Sequence, residues 1–264
     1  MVVKNLKKVL VTIWFLIAAS LYIVGYGSLV LLLSLFLRIF KGREKAKSFV
    51  FKQIKIFGKN AFKWMFCPVK VFGQENLKEN ENYLVVPNHQ SMMDIPLVLG
   101  YIGPMPMIAK KELSKVPGVN WFVKYMGGLF LDRKNPAQGA FVIRQMDRIL
   151  ARGNSLLVFP EGTRSKDGTV GKFKPAVFKL AIRHKVKVLP VSIWGTIFLV
   201  PKKSLFLNPG PVSMIIHPPL DPTQFSNEEE LALKAEEIVR AGVEKLKMLE
   251  VGENEKSMDK GFGS

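Results

Sequence analysis

The sequence predicts an α/β fold: a mixed, mostly parallel sheet of about seven strands flanked by helices, preceded by an N-terminal membrane-associated helical segment. Three observations carry this. Short apolar runs alternate with helical stretches between residues 69 and 216, the pattern of βα units around a parallel sheet. Residues 9–37 form a run of 29 without a charge. The 264-residue chain is 48% hydrophobic, enough for one sizeable core and a further apolar element.

The apolar run comes first. As one helix it would be about 43 Å long, against a hydrocarbon core of ~30 Å. As two spans, each arm would hold about 14 residues, too few to cross. Gly25-Tyr26-Gly27-Ser28 offers a break near the middle. A cleaved signal peptide fits poorly, because the run is too long and Ala18-Ala19-Ser20 lies inside it. Lys4, Lys7 and Lys8 precede the run and Arg38, Lys41, Arg43, Lys45 and Lys47 follow it, which places both ends on the cytoplasmic side. A helical hairpin that enters one leaflet and returns meets these constraints; a single span is the alternative.

Charge points the same way. The formal net charge is +18, from 39 basic and 21 acidic residues, so an anionic partner is expected. Residues 1–64 carry twelve of those basic residues against Glu44 alone. Basic charge around apolar sequence indicates anionic membrane lipids and no nucleic acid. Residues 44–66 then read as an amphipathic helix. Val50, Ile54, Phe57, Ala61 and Met65 share one face, and Lys52, Lys55, Lys59 and Lys63 the other. The lysines suit a layer of anionic headgroups; equally, the apolar face can pack on the following domain and leave the lysines solvated.

From residue 68 the pattern changes to strands at 69–72, 83–87, 105–109, 128–131, 155–159, 186–193 and 212–216. Helical stretches fall at 92–99, 111–125, 136–152 and 175–184. A last helix over 227–248 has Asn227 as its cap and Glu228, Glu229 and Glu230 in its first turn. Leu231, Ala235, Ile238 and Leu246 are its candidate buried positions. The polar stretch 250–264 reads as a disordered tail. Three regions result: membrane-anchoring helices over 1–66, an α/β domain over 67–249, and the tail. One cysteine, Cys67, excludes an internal disulfide and fits a reducing compartment. No His/Cys cluster has structural-metal spacing, and no metal is expected.

Chemistry centres on Pro87-Asn88-His89-Gln90-Ser91-Met92-Met93-Asp94, where a buried strand should give way to a helix capped by Asn88 or Ser91. His89 and Asp94 would diverge on a regular helix, but a turn can fold the carboxylate onto the imidazole. A carboxylate on one ring nitrogen fixes the tautomer and leaves the other free to take a proton. His184 has no acid close behind it in sequence. Pro218-Pro219 should hold His217 apart from Asp221. Arg133, at the end of Gly127-Gly128-Leu129-Phe130-Leu131-Asp132-Arg133, can hold a phosphate bidentately or pair with Asp132. In Phe159-Pro160-Glu161-Gly162-Thr163-Arg164-Ser165, Glu161 can accept from a hydroxyl, Gly162 admits a ligand close to the main chain, and Arg164 can hold a phosphate. An ion pair closing the turn is the plainer reading of Glu161 and Arg164. Pro190, inside Val188-Leu189-Pro190-Val191, requires either a bulge or an edge strand.

These four stretches, in this order, resemble the glycerolipid acyltransferase family, most of all its 1-acyl-glycerol-3-phosphate acyltransferases, across residues 83–195. Lys110-Lys111-Glu112-Leu113 is similar to a stretch common in bacterial members, and Met92-Met93 departs mildly from the usual filler. The resemblance implies transfer of an acyl group from acyl-CoA or acyl carrier protein to the sn-2 hydroxyl of lysophosphatidic acid, giving phosphatidic acid at the cytoplasmic face of the cell membrane, with no cofactor beyond the acyl carrier. It implies His89 as base, oriented by Asp94, and Arg133 on the acceptor's phosphate. Glu161, Gly162, Thr163 and Arg164 would place the glycerol-phosphate backbone, and Pro190 would shape a pocket. Gly-x-Ser-x-Gly is absent and Cys67 lies outside all four stretches, so direct attack is expected over an acyl-enzyme; Ser91 is the residual candidate nucleophile. Glycerol-3-phosphate or another lysophospholipid as acceptor, and a non-catalytic membrane-surface scaffold, are the competing readings.

Overall fold

The computed structural model describes residues 2–132, 137–200 and 206–259. The chain starts as one long helix. Helix α1 (Val2–Ser20), a π turn (Leu21–Tyr26) and α2 (Gly27–Lys41) follow one another without a break. The chain reverses at Gly42, where φ is 86°, a backbone state that glycine tolerates. Helix α3 (Arg43–Trp64) then runs back along the first. Tyr26 Oη donates to Gln53 Oε1 at 2.9 Å, and the Tyr22 ring lies 5.7 Å from that of Phe57 and 5.0 Å from that of Trp64.

The reversal expected at Gly25-Tyr26-Gly27-Ser28 is thus corrected: it comes at Gly42, beyond the apolar run. A glycine costs a helix only about 1 kcal/mol, and no proline interrupts residues 2–41. Gly27 keeps helical backbone and serves close packing, since a Cβ there would stand 2.9 Å from the Phe122 ring. The helix from Leu6 to Lys41 is long and apolar enough to cross a membrane, and 11% of its apolar window is buried in the protein. One side docks on the rest of the chain: Thr12 Oγ1 accepts from Leu207 N at 2.8 Å, and Val30 and Ser34 are buried. Leu10, Trp14, Leu21, Leu32 and Phe36 stand exposed.

On α3 the two predicted faces are present. Val50, Ile54, Ala61 and Met65 are buried, Phe57 is half-buried, and Lys52, Lys55, Lys59 and Lys63 are exposed. The apolar face packs on α4 (Asp94–Tyr101). The two helices touch backbone to backbone: a Cβ on Gly58 would stand 2.4 Å from Pro96 O, and one on Gly100 2.8 Å from Gly58 C. Protein packing therefore accounts for the apolar face.

All seven predicted strands form: β1 (Val69–Phe72), β2 (Tyr83–Pro87), β3 (Ile108–Lys110), β4 (Leu129–Leu131), β5 (Leu156–Leu157), β6 (Lys187–Trp194) and β7 (Val212–Ile216). They divide into a five-stranded sheet, in the order β1-β7-β6-β2-β5, and a two-stranded sheet of β3 and β4. Only β6 with β7 is antiparallel. A single bridge, Met107 to Leu157, joins the small sheet to the β5 edge. Pro104 and Pro106 lack N–H donors, which limits the ladder there.

Side-chain alternation along β2 builds a core on each face. Tyr83 and Val85 join Phe62, Met65, Leu97 and Ile193 on the α3–α4 side. Leu84 and Val86 join the opposite cluster, covered by α6 (Ala137–Ala151), α7 (Ala176–His184) and α9 (Glu228–Asp259). Two short helices complete the fold, α5 (Val119–Tyr125) and α8 (Thr196–Leu199).

Asn227 caps α9 as expected, its Oδ1 accepting from Glu230 N at 2.8 Å. Leu231, Ala235 and Leu246 are buried, while Val239 takes the central place and Ile238 is half-exposed. The expected tail needs correction, because α9 continues to Asp259. Residues 250–259 hold one glycine and no proline, and five of the ten (Glu250, Glu253, Glu255, Lys256 and Met258) are good helix formers. Glu250 takes a hydrogen bond from Trp194 Nε1, and Lys247 Nζ lies 4.8 Å from the Trp194 ring centre. Residues 260–264 lie outside the described residues.

Candidate active site

Strand β2 ends at Pro87 and releases Asn88 and His89 at the carboxyl edge of the parallel strands, where α/β folds commonly build sites. Asn88 caps no helix. Its side chain clamps the neighbouring strand, with Nδ2 donating to Ile193 O at 2.9 Å and Oδ1 accepting from Ile193 N at 2.7 Å. Ser91 is no helix cap either: its Oγ accepts from Met93 N at 3.3 Å, and α4 starts at Asp94.

Asp94 shapes the turn. Its Oδ2 accepts from Gln90 N at 2.7 Å and Ser91 N at 2.8 Å, and lies 2.8 Å from His89 Nδ1. The i,i+5 pair therefore meets, because two backbone N–H groups draw the carboxylate back over the turn. Asp94 is wholly buried and the His89 side chain is 8% exposed. With Nδ1 held by the carboxylate, Nε2 is the nitrogen left for chemistry. The His89 ring stacks on Phe159, centres 3.9 Å apart and planes at 24°.

Glu161 braces the same turn from the other side. Its Oε1 accepts from His89 N at 2.8 Å and its Oε2 from Gly171 N at 3.0 Å. Ser165 N donates to His89 O at 2.8 Å. Burial pushes the Glu161 carboxyl above its usual range, against the lowering effect of the two N–H donors. Gly162 has φ of +76°, and a Cβ there would stand 2.9 Å from Lys174 Nζ. Thr163 and Arg164 follow, both exposed. Lys174 thus lies against Gly162 in the same turn that Glu161 ties to the His89 main chain. Among the described residues, no group of three or more His, Cys, Asp or Glu side chains is placed to hold a metal ion.

The other two histidines are placed differently. His184 Nε2 lies 2.8 Å from Asp147 Oδ1, an acid from α6 that also pairs with Arg183 at 3.3 Å. This pair sits just before β6, at the sheet edge opposite His89, since Tyr83 aligns with Lys187 and Pro87 with Val191. His217 Nε2 meets Ser192 Oγ at 2.8 Å, while Asp221 accepts from Thr223 instead. Burial, with Lys245 nearby, pushes His217 down to about 4, so it is neutral at pH 7.

A family model described as Acyltransferase matches residues 68–194. The crystal structure of the 1-acyl-sn-glycerophosphate (LPA) acyltransferase PlsC from Thermotoga maritima is 47% identical, with a TM-score of 0.85, covering 92% of this chain and 98% of that one. This chain belongs to the acyltransferase family.

Two curated relatives extend the comparison. The chloroplastic 1-acyl-sn-glycerol-3-phosphate acyltransferase of Arabidopsis thaliana is 36% identical over 157 residues, 59% of this chain and 44% of the relative. The enzyme of that name from Saccharomyces cerevisiae is 34% identical over 184 residues, 68% of this chain and 60% of the relative. The chain thus spans about half the length of these curated acyltransferases.

In this chain the structure brings His89, Asp94, Glu161 and Gly162 together. Glu161, expected to accept a substrate hydroxyl, has both oxygens engaged by the main chain. Arg133 lies outside the described residues; its neighbour Asp132 pairs with Lys111 at 3.0 Å. Pro190 lies in a central strand, not an edge, and aligns with Val86. Its carbonyl accepts from His217 N at 3.1 Å just past the end of β7. Val188 then pairs with Leu220, so the partner strand advances one residue more than β6. That bulge, at Pro218-Pro219, is where the missing Pro190 donor falls. Sequence reading missed Phe159 as the stacking partner, Asn88 as the strand clamp and Lys174 beside Gly162. The phenylalanine before Pro-Glu-Gly was visible, but nothing local places it against His89.

Proposed function

We propose that this chain transfers an acyl group from an acyl thioester to the sn-2 hydroxyl of 1-acyl-glycerol-3-phosphate, giving phosphatidic acid. The observation that carries the chemistry is the buried His89–Asp94 pair, Nδ1 held at 2.8 Å and Nε2 left open. The activity named for the Thermotoga maritima structure and the curated relatives supports the choice of acceptor.

Neutral His89 takes the hydroxyl proton on Nε2 as the oxygen attacks the thioester carbonyl. The C–O bond forms, the C–S bond breaks, and the departing thiolate takes the proton back from the imidazolium. Asp94 stabilises that imidazolium and holds its tautomer. Ser91 is 3% exposed and its hydroxyl faces Met93 N, which favours direct attack over an acyl-enzyme. Arg133, Arg164 and Lys174 supply positive charge for the acceptor phosphate, and Gly162 lets it approach the main chain. The acyl thioester is that of coenzyme A or acyl carrier protein, and no further cofactor takes part.

The acyltransferase works on the cytoplasmic face of a membrane. Its long N-terminal helix docks one side on the α/β domain and offers the other to lipid, and Lys52, Lys55, Lys59 and Lys63 face anionic headgroups. Each lysine near such a surface contributes about 1 kcal/mol. Reversing all four to Glu should therefore abolish any preference for anionic over zwitterionic vesicles in a flotation assay; an unchanged preference would refute this role.

The functional reading is tested with purified protein in mixed micelles, one acyl-CoA or acyl carrier protein donor at a time, and three acceptors. Acylation of lysophosphatidic acid well above that of glycerol-3-phosphate or lysophosphatidylcholine is expected. Preference for either of the others would replace the substrate assignment.

A further inference from the structure

The proton-transfer reading uses one oxygen of Asp94. The other, Oδ1, accepts from Thr196 Oγ1 at 2.5 Å. Both side chains are wholly buried, each at 0% exposure, and the two residues lie 102 apart in sequence. The geometry points to Thr196 as a positioning residue for the base: its hydroxyl locks the Asp94 carboxylate and, through it, the orientation of His89. This rests on the His89–Asp94 reading of the site.

A buried carboxylate needs donors on both oxygens, because an unmatched charge in a dry site is costly. Oδ2 has His89 Nδ1 and the N–H groups of Gln90 and Ser91. Oδ1 has the threonine, and a hydroxyl donated to a charged acceptor makes a strong bond. The Asp terminal torsion is otherwise broad. Without the hydroxyl, the carboxylate can turn away from His89 Nδ1 or take up a proton, and either change weakens its hold on the ring.

The fold delivers Thr196 rigidly. Strand β6 ends at Trp194, and Gly195 turns the chain with φ of +96°. A Cβ on Gly195 would stand 2.3 Å from Pro211 O, so only glycine fits that turn. Thr196 then opens α8. The Asn88 clamp ties Ile193, on the same strand end, to the residue before His89. The end of β6 thus grips the catalytic turn at two points, one on each side of the histidine.

The experiment compares Thr196→Ala, Thr196→Ser and Thr196→Val with the parent and with His89→Ala. Loss of one donor to a buried charge should lower kcat about 10–30-fold in the Ala and Val variants, with KM for lysophosphatidic acid within about twofold. Thr196→Ser should recover to within about threefold of the parent, because it restores the hydroxyl without the methyl. Either of two results overturns the proposal: an Ala variant with parental kcat, or a Ser variant as impaired as Ala, which would mean packing matters and the hydroxyl does not. The Ala and Ser variants are both smaller than threonine and cannot clash, so their comparison stands even if the Val variant does not fold. Full activity in His89→Ala would instead remove the base on which the proposal rests.

Discussion

His89→Ala is expected to lower kcat by about 10³-fold, within the range of 10²–10⁴ that a general base contributes. The expectation follows from the proposed reaction: Nδ1 is held by Asp94, so removing the ring removes the open nitrogen assigned to accept the hydroxyl proton. Truncation also removes the ring stacked on Phe159 and one donor to a buried carboxylate, so a loss of activity could be mistaken for a loss of fold. His89→Asn separates the two. An Asn amide can still donate from near the Nδ1 position while carrying no base. The two variants should be equally inactive in single-turnover acyl transfer, and His89→Asn should melt close to the parent. An Asn variant with more than a tenth of parental activity would sink the proton-transfer role.

Glu161→Ala is expected to lower kcat by about 10²-fold and to destabilise the fold, with little change in KM for the acceptor. Two N–H groups in part-buried hydrogen bonds, of His89 and Gly171, lose their acceptor together. Each orphaned donor costs about 1–3 kcal/mol, and the His89 backbone is one of them. Had Glu161 instead received a substrate hydroxyl, the loss would appear mainly in KM, and the melting temperature would hold. Steady-state kinetics beside thermal unfolding tells these apart. The raised Glu161 carboxyl adds a sign. Its folded form holds a proton more tightly than its unfolded form, so this group favours folding at pH below its unfolded value of 4.5 and loses that contribution as pH rises through the raised range.

Much of this was legible in the chain. Seven strand positions follow from short apolar runs, and the two faces of α3 from their spacing, because periodicity is local and the side chains that share a face lie within a few residues of one another. The His89–Asp94 pair was legible for the same reason: five residues of turn are enough for a carboxylate to reach back. The reversal of the N-terminal helices was less so. Two glycines near the middle of the apolar run suggested a break, but a helix tolerates them, and the turn falls to Gly42, which has the positive φ.

What only the tertiary structure decided is how distant segments meet. Glu161 reaches His89 across 72 residues, Thr196 reaches Asp94 across 102, and Asp147 reaches His184 across 37. No local pattern records such pairs, because each depends on which strands or helices lie side by side. The parallel alignment of β2 with β6 brings the ends of both strands to one edge, and there Asn88, His89 and Thr196 come into one site. The sequence by itself determined the fold class and the place where His89 and Asp94 would meet. The sheet order determined that Glu161 braces the main chain and that Thr196 holds the carboxylate, since both contacts exist only once non-neighbouring strands are paired.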